Sequence, residues 1–428
     1  MLNDLIPELA ADLPGPAWLR DRRLLAVAAL ADAELPSPDE EVWKYSRVAD
    51  LDLGRYRLPM AVDSAVAPEK LPAELAAVLD GLGEPAGVVV VCDGVVVRAE
   101  LDDELTQRGV QFGVAADVTT AERVLGSVAA PVDVFGTMND AAAGVPIVID
   151  VPAGRTVERP LVVVDWIETD GLATFPRLAL RAGDDSEVTV VEWHGSAAGI
   201  GGFAAPVTEI DVGRSARVRH IAVQQRGEQV NQIATQVTQV AQEATFHGYQ
   251  AGLGGDYARG RVDCRLTGRG ATGNLWAVYF GEGDQMLDFR TFQDHRAPDT
   301  TSNLLFKGAV GGRSRSVYTG LIKVEKEARG TNAFQTNRNL KLSEHAWAES
   351  VPNLEIENND VHCSHASTVG PVDEEQRFYL ESRGVPTNVA ERLIVAGFFE
   401  EVLADLPVPG VATELRRLIQ DRLDREGI

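Results

Sequence analysis

From about Pro146 to Val369 the chain is a succession of short segments rich in β-branched and apolar residues, each bounded by Gly, Asp, Asn or Ser. PIVIDVPAG, PLVVVDWIE, RLALRAG, SEVTVVEW, TEIDVG, ARVRHIAVQ, RVDCRLTG, NLWAVYF, SVYTGLIKV and NLEIEN read as strands separated by turns. Polar turns centred near Gly183, Gly213, Gln242, Gly268, Gly311 and Ser343 recur roughly 26 to 43 residues apart. A strand–turn unit repeating every 20–50 residues points to a solenoid or a propeller. A propeller blade needs four strands in about 40–45 residues, and WD and kelch signatures are missing. A β-solenoid fits better, because each coil buries its inward face on its neighbours. Some 220 residues of short strands is also large for a single sandwich.

The flanks differ in texture. Leu19, Leu24, Val27, Ala28 and Leu30 recur at helical spacing behind Pro16, and Pro36 and Pro38 end that segment. Short helices are expected at Pro72 to Leu82, Asp117 to Leu125 and 133–143, with a hairpin at Gly87–Val97 turning on Asp93-Gly94. After Val369 the chain reads as three amphipathic helices. Asp373 with Gln376 forms a capping-box pattern, Asn388 with Glu391 starts a second helix carrying Ile394, Phe398 and Val402 on one face, and Pro407 and Pro409 break it. Leu415, Ile419 and Leu423 repeat the spacing in a third. The expected division is 1–145 mostly helical with the hairpin, 146–369 solenoid, and 370–428 helical. Terminal helices on a solenoid cap its end coils, bind a partner, or both.

The net charge of −24 argues against nucleic-acid binding, since a polyanion is repelled over most of such a surface. Three cysteines without CxxC spacing, Cys92, Cys264 and Cys363, fit a reducing compartment rather than a disulfide framework. The start MLNDLIPELAADLPG, with Asp4 and Glu8, does not read as a secretory signal, and no apolar run reaches the ~18 residues of a membrane span. A cytoplasmic location is expected. There is no GxxxxGK[ST], GxSxG or HExxH, and AGLGGDYARG (251–260) does not match GxGxxG. The seven histidines are scattered, and a lone histidine in a strand is usually a satisfied structural residue.

One constellation carries chemistry: NDVHCSHASTVG (359–370). In an extended run Cys363 and His365 share a face, while His362 and Ser364 take the other. A thiolate and an imidazole two residues apart supply two ligands to zinc or to cluster iron, two short of a complete site. The remaining ligands are then distant or belong to a second chain. A packed structural cysteine beside a surface histidine is the plainer reading. A Cys–His nucleophile would require an orienting group and an oxyanion site that the sequence does not show.

DVHCSHASTVGPVDEEQRFYLESRGVP (360–386), followed by AERLIVAGFFEE (390–401), resembles the C-terminal signature of the SufB/SufD family of SUF iron–sulfur assembly subunits, and within it the SufD branch. EEVWKYSRVADL (40–51), FGTMNDA (135–141) and VPAGRTVERPLVV (151–163) are similar to family segments, so the likeness runs from about residue 36 to the end. The resemblance implies a mainly β protein with a right-handed parallel β-helix core between helical domains, acting as a non-catalytic scaffold. It implies pairing with a SufB-like sister subunit and docking of a SufC-like ABC-type ATPase, in accord with the missing P-loop. Phe378, Ile394, Phe398 and Phe399 are then the candidate docking contacts. Cys363 and His365 become cluster-assembly residues shared with the partner chain; no cofactor is expected in the isolated chain, only a transient iron–sulfur cluster in the complex, and no role is assigned to His362. A SufB-type subunit, a β-helix carbohydrate-active enzyme and a purely structural homo-oligomer are the competing readings, and a homodimer of the isolated chain is compatible with the first assignment.

Overall fold

The computed structural model describes residues 5–59 and 71–428; Asp4 of the acidic start lies outside them. Two long sheets, parallel apart from one antiparallel pair at the start of each, face one another. The first runs, in spatial order, Val95–Leu101, Gly87–Cys92, Leu161–Ile167, Glu187–Ser196, Arg217–Gln225, Thr245–Gly252, Thr272–Gly281, Thr301–Val310, Thr331–Lys341 and Val361–Gly370. The second runs Gln111–Val114, Ile147–Val151, Arg177–Ala182, Val207–Val212, Gln229–Val240, Tyr257–Leu266, Met286–His295, Arg315–Val324 and Trp347–Ile356. Successive strands alternate between the sheets and pair in parallel with the strand one coil away, which defines a parallel β-solenoid. The Asp93-Gly94 hairpin forms as expected, and its strand Gly87–Cys92 pairs in parallel with Leu161–Ile167, continuing the solenoid sheet.

The coil period is set at one corner. Asp185, Ser215, Glu243, Gly270, Asp299 and Gly330 all have left-handed backbone, φ 55–71°. Each donates its N–H to the next coil: Asp185 to Arg214, Ser215 to Gln242, Glu243 to Arg269, Gly270 to Pro298, Asp299 to Arg329 and Gly330 to Asp360, at 2.7–3.1 Å. A non-glycine residue pays a conformational cost there, and the intercoil bond offsets it. The turns read from sequence at Gly311 and Ser343 belong to the opposite corner. The irregular gap after Gly268 therefore hides a corner at 297–300, and the true repeat is steadier than the sequence spacing suggested.

Side chains alternate inward and outward along each strand. In the first sheet Leu161, Val190, His220, Gly248, Leu275, Leu304, Gln335 and His365 form one inward column. Early coils are filled by Val188, Val190, Val218 and Phe246 against Leu180, Ile210, Val212 and Val240. Later coils turn polar: Tyr279 donates to Asn339 (2.7 Å), Asn337 donates to Tyr279 (2.9 Å), and Asn339 donates to Asn337 (2.8 Å). Gly308 makes room for this cluster, since a Cβ there would lie 1.9 Å from the Tyr279 ring.

The end segments are bolted to the outer faces. Trp43 lies beneath the Arg259 guanidinium, 4.0 Å from ring centre to Cζ, and packs on Phe135. Arg259 is held by Asp288 at 2.6 Å and donates to the Val42 carbonyl at 2.7 Å. The Glu-x-Trp-Lys-Tyr segment is therefore a docking strap onto the second sheet. The helix Val134–Ala142 places buried Asn139, which donates to the Pro176 and Ala205 carbonyls, both at 2.7 Å. At the other end Thr387–Leu403 and Pro409–Glu426 cover the first sheet, with Val395, Phe399, Leu415, Ile419 and Leu423 against Trp193, Val223 and Phe280. Pro409 opens its helix instead of only ending the previous one, since a first-turn proline loses no intrahelical bond. The middle helix starts at Thr387 behind Pro386, not on an Asn388 cap.

His295 is fully buried between Thr300 (2.8 Å) and Ser302 (2.9 Å), and burial lowers its pKa to about 4. The unfolded imidazole protonates near 6.5, so between pH 6.5 and 4 the unfolded state binds the additional proton. Stability from this group is complete above pH 6.5 and falls as pH drops to about 4, by about 3 kcal/mol. Urea titrations across that range are expected to show the fall in wild type and a shallower one in His295→Gln; parallel slopes would exclude His295 as a source.

Candidate functional site

The two sheets end on Trp347–Ile356 and Val361–Gly370, neither paired on its outer side among the described residues. Pro352 lies mid-strand in the first of these, where an edge tolerates the missing N–H. Val361–Gly370 continues the register of Thr331–Lys341, aligning Ala333 with Cys363 and Gln335 with His365. Cys363 and His365 are thus the last members of two inward columns, left at the open mouth because no further coil covers them. They share a face, as alternation predicts. Cys363 is half-buried against Ala333 and the neighbouring cluster of Ile322, Val324 and Ala328, whereas His365 is exposed and has no side-chain hydrogen bond among the described residues. His362 points to the other side and is exposed. Leu354, Ile356 and Val369, at 36–42% exposure, leave apolar surface around the same mouth.

Burial pushes the Cys363 thiol above its ordinary value, opposed by a backbone hydrogen bond from Ala333. Cys92 and Cys264 are buried, and burial pushes both up to about 12. Among the described residues no group of three or more His, Cys, Asp or Glu side chains converges to hold a metal ion. Cys363 and His365 are chemically suited to ligate soft or borderline iron, but they present two ligands where a complete site needs four.

The C-terminal helices present a second surface. Phe378 is 71% exposed, and Tyr379, Val389 and Leu393 stand out beside it. Ile394 and Phe398 are half-buried in a groove between the helices Glu374–Glu381 and Thr387–Leu403, lined also by Leu340, Pro371 and Leu380. Asp373 caps the first of these, accepting from the Glu375 and Gln376 N–H groups at 2.9 and 3.0 Å. Phe399 is different: it is fully buried and stacked on Phe280 at 6.2 Å between centroids, so it packs the helix onto the solenoid and offers nothing to a partner. The exposure of Tyr379, Val389 and Leu393 was not read from the sequence, because apolar residues on a helix read as core until the packed face is known.

The architecture and this mouth define a β-solenoid scaffold whose donor atoms lie at an open end. Residues 166–398 match the family model described as SUF system FeS cluster assembly, SufBD core domain. An iron–sulfur cluster assembly SufBD family protein of Mycobacterium bovis is 35% identical over 283 residues, 63% of this chain and 70% of the relative. A SufBD family protein of Staphylococcus epidermidis is 25% identical over 99% of this chain and 93% of its own length. The iron–sulfur cluster assembly protein SufD of Bacillus subtilis is 28% identical over 95% of this chain and 94% of its own. The chain belongs to the SufBD family of iron–sulfur cluster assembly proteins. No helix among the described residues is long and apolar enough to cross a membrane.

In the native protein at mildly alkaline pH, iodoacetamide is expected to modify Cys363 alone, with a rate rising roughly tenfold per pH unit below its pKa, since only the thiolate reacts. Mass spectrometry finding two or three modified cysteines without denaturant would overturn the burial assignments.

Proposed function

We propose that this chain is a SufD-type scaffold subunit: it pairs through its open solenoid mouth with a SufB-type sister subunit and docks a SufC-type ABC ATPase through its C-terminal helices. The observation that carries the reading is the coincidence of two unpaired sheet edges, exposed apolar residues and an incomplete Cys363–His365 donor pair at one end of the solenoid. A sister solenoid extends both sheets by edge pairing and brings the missing ligands. The nascent cluster is then cargo held between two chains, and this chain contributes positioning, not catalysis. The ATPase surface is the apolar strip of Phe378, Tyr379 and Leu393 with the Ile394–Phe398 groove. ATP-driven closure of the ATPase pair would pull on both docking regions and shift a two-state interface at the mouth. The likeness to a SufD over 95% of the chain supports the D-type assignment.

Anaerobic co-expression with SufB-type and SufC-type partners tests the mouth. His365→Ala and Cys363→Ala are expected to assemble normally by gel filtration yet lose most visible absorption from the cluster. Full cluster content in both variants would reduce the motif to a structural role. For the helices, Phe378→Ala combined with Leu393→Asp is expected to abolish ATPase co-elution while changing stability by no more than about 0.5 kcal/mol, as surface substitutions do. Phe399→Ala is the contrasting case, with an expected loss of about 3–5 kcal/mol from a core cavity. Retained co-elution in the double variant would move the docking surface elsewhere.

A further inference from the structure

The opposite mouth of the solenoid is covered. The helix Pro7–Asp12, the turn after it and Leu58-Pro59 close over the first coils and leave an internal cavity of about 350 Å³. Its walls are mainly apolar, with Leu13, Leu58, Val91, Val163 and Phe175 among them. Its floor is the start of two inward columns: Val91–Asp165–His194 and Val163–Glu192.

The floor carboxylates already have partners. Asp165 is paired with buried Arg226. Glu192 accepts from Thr208 at 2.8 and 3.0 Å, and lies 3.1 Å from His220 Nε2 and 3.4 Å from His194 Nε2. Arg177, also at the wall, is shared by Asp140 (3.0 Å) and Glu209 (2.7 Å). What is unmet is hydrogen-bonding capacity. His194 Nδ1 lies 3.9 Å from Asp165, too far for a bond, and among the described residues neither it nor the Thr174 hydroxyl has a partner, although their residues are 5% and 2% exposed. Burial lowers the His194 pKa, but Asp165 and Glu192 outweigh it and raise it overall. An orphaned buried polar atom is costly.

We propose that this cavity is a binding site for a small uncharged amphiphile: an apolar body against Leu13, Leu58 and Phe175, and a carbonyl or hydroxyl oxygen hydrogen-bonded at the Thr174 hydroxyl beside His194 Nδ1. Neutrality follows from the matched floor. A carboxylate would be desolvated beside Asp165 and Glu192, and an ammonium beside Arg177, each without a free counter-charge. The volume lies at the small end of ligand pockets. Bound there, the molecule would tie the N-terminal cover to the first coils, far from the Cys363–His365 mouth and independent of cluster assembly.

The test uses the full chain, with 4-phenylbutan-2-one as probe and 4-phenylbutanoate and 4-phenylbutylamine as matched charged controls, read by saturation-transfer NMR and calorimetry. Saturable one-site binding of the ketone is expected, with both charged analogues at least tenfold weaker. Thr174→Val, close to isosteric, is expected to weaken the ketone severalfold, and Leu13→Trp, which fills the cavity from its rim, to abolish binding in a protein that still melts cooperatively. Absence of saturable binding to the wild-type protein would mean a hydrated cavity only and overturn the proposal. So would charged analogues that bind equally well, or ketone affinity unchanged in Thr174→Val.

Discussion

Everything in this molecule depends on the parallel hydrogen-bond ladder between successive coils. A parallel strand pair cannot be joined by a tight hairpin, so the chain must cross to the opposite sheet and return. The corner that makes this possible needs one left-handed residue per coil. Asp185, Ser215, Glu243 and Asp299 accept that conformation because each corner N–H is satisfied by the adjacent coil. Once the corners are in register, the inward side chains have no choice but to stack in columns. Each column position is then defined by its neighbours above and below.

A stack of this kind has two ends, and each end strand exposes unsatisfied backbone and half a core. The two ends are treated differently. At the first, the leading helices and the helix Val134–Ala142 cover the coils, while the strap around Trp43 runs along the outer face of the second sheet as far as Trp347. The buried Arg177–Asp140 pair ties that helix to the solenoid, and Arg259, paired with Asp288, holds the strap through the Val42 carbonyl. Such pairs are weak sources of net stability, but breaking one leaves an uncompensated charge, so they define where the segments sit. At the second, the C-terminal helices pack sideways on the outer face, fixed by Phe399 and by the Arg425–Glu282 pair at 2.7 Å, and leave the mouth itself uncovered. The proposed pairing with a second subunit rests on that uncovered mouth.

The strand–turn repeat, the helical flanks and the shared face of Cys363 and His365 were all legible in the sequence, because each rests on local periodicity: two residues per strand repeat, 3.6 per helical turn, and turn residues at corners. The coil length was legible only loosely, since Gly311 and Ser343 carry turn chemistry as good as that of Gly268 yet serve the opposite corner. Several strands, among them Gln229–Val240 and Thr331–Lys341, are too rich in Gln, Asn and Thr to announce themselves; Gln236, Thr238, Asn337 and Asn339 are buried and bond within the interior, which no single-strand pattern reveals.

Phe398 and Phe399 show where local information ends. They are adjacent on one helix and alike in chemistry, yet one lines an open groove and the other lies at zero exposure on Phe280. His194 and His220 read as isolated residues 26 positions apart, and only coil stacking brings both to Glu192. The sequence by itself determined that this chain stacks strands into coils between helical ends and carries Cys363 and His365 on one face of an extended run near its end. Which residues stand at an open end, which are covered, and which distant charges meet were decided by the tertiary structure. Those properties belong to the register between coils and to the packing of the end segments, interactions that join residues tens to hundreds of positions apart.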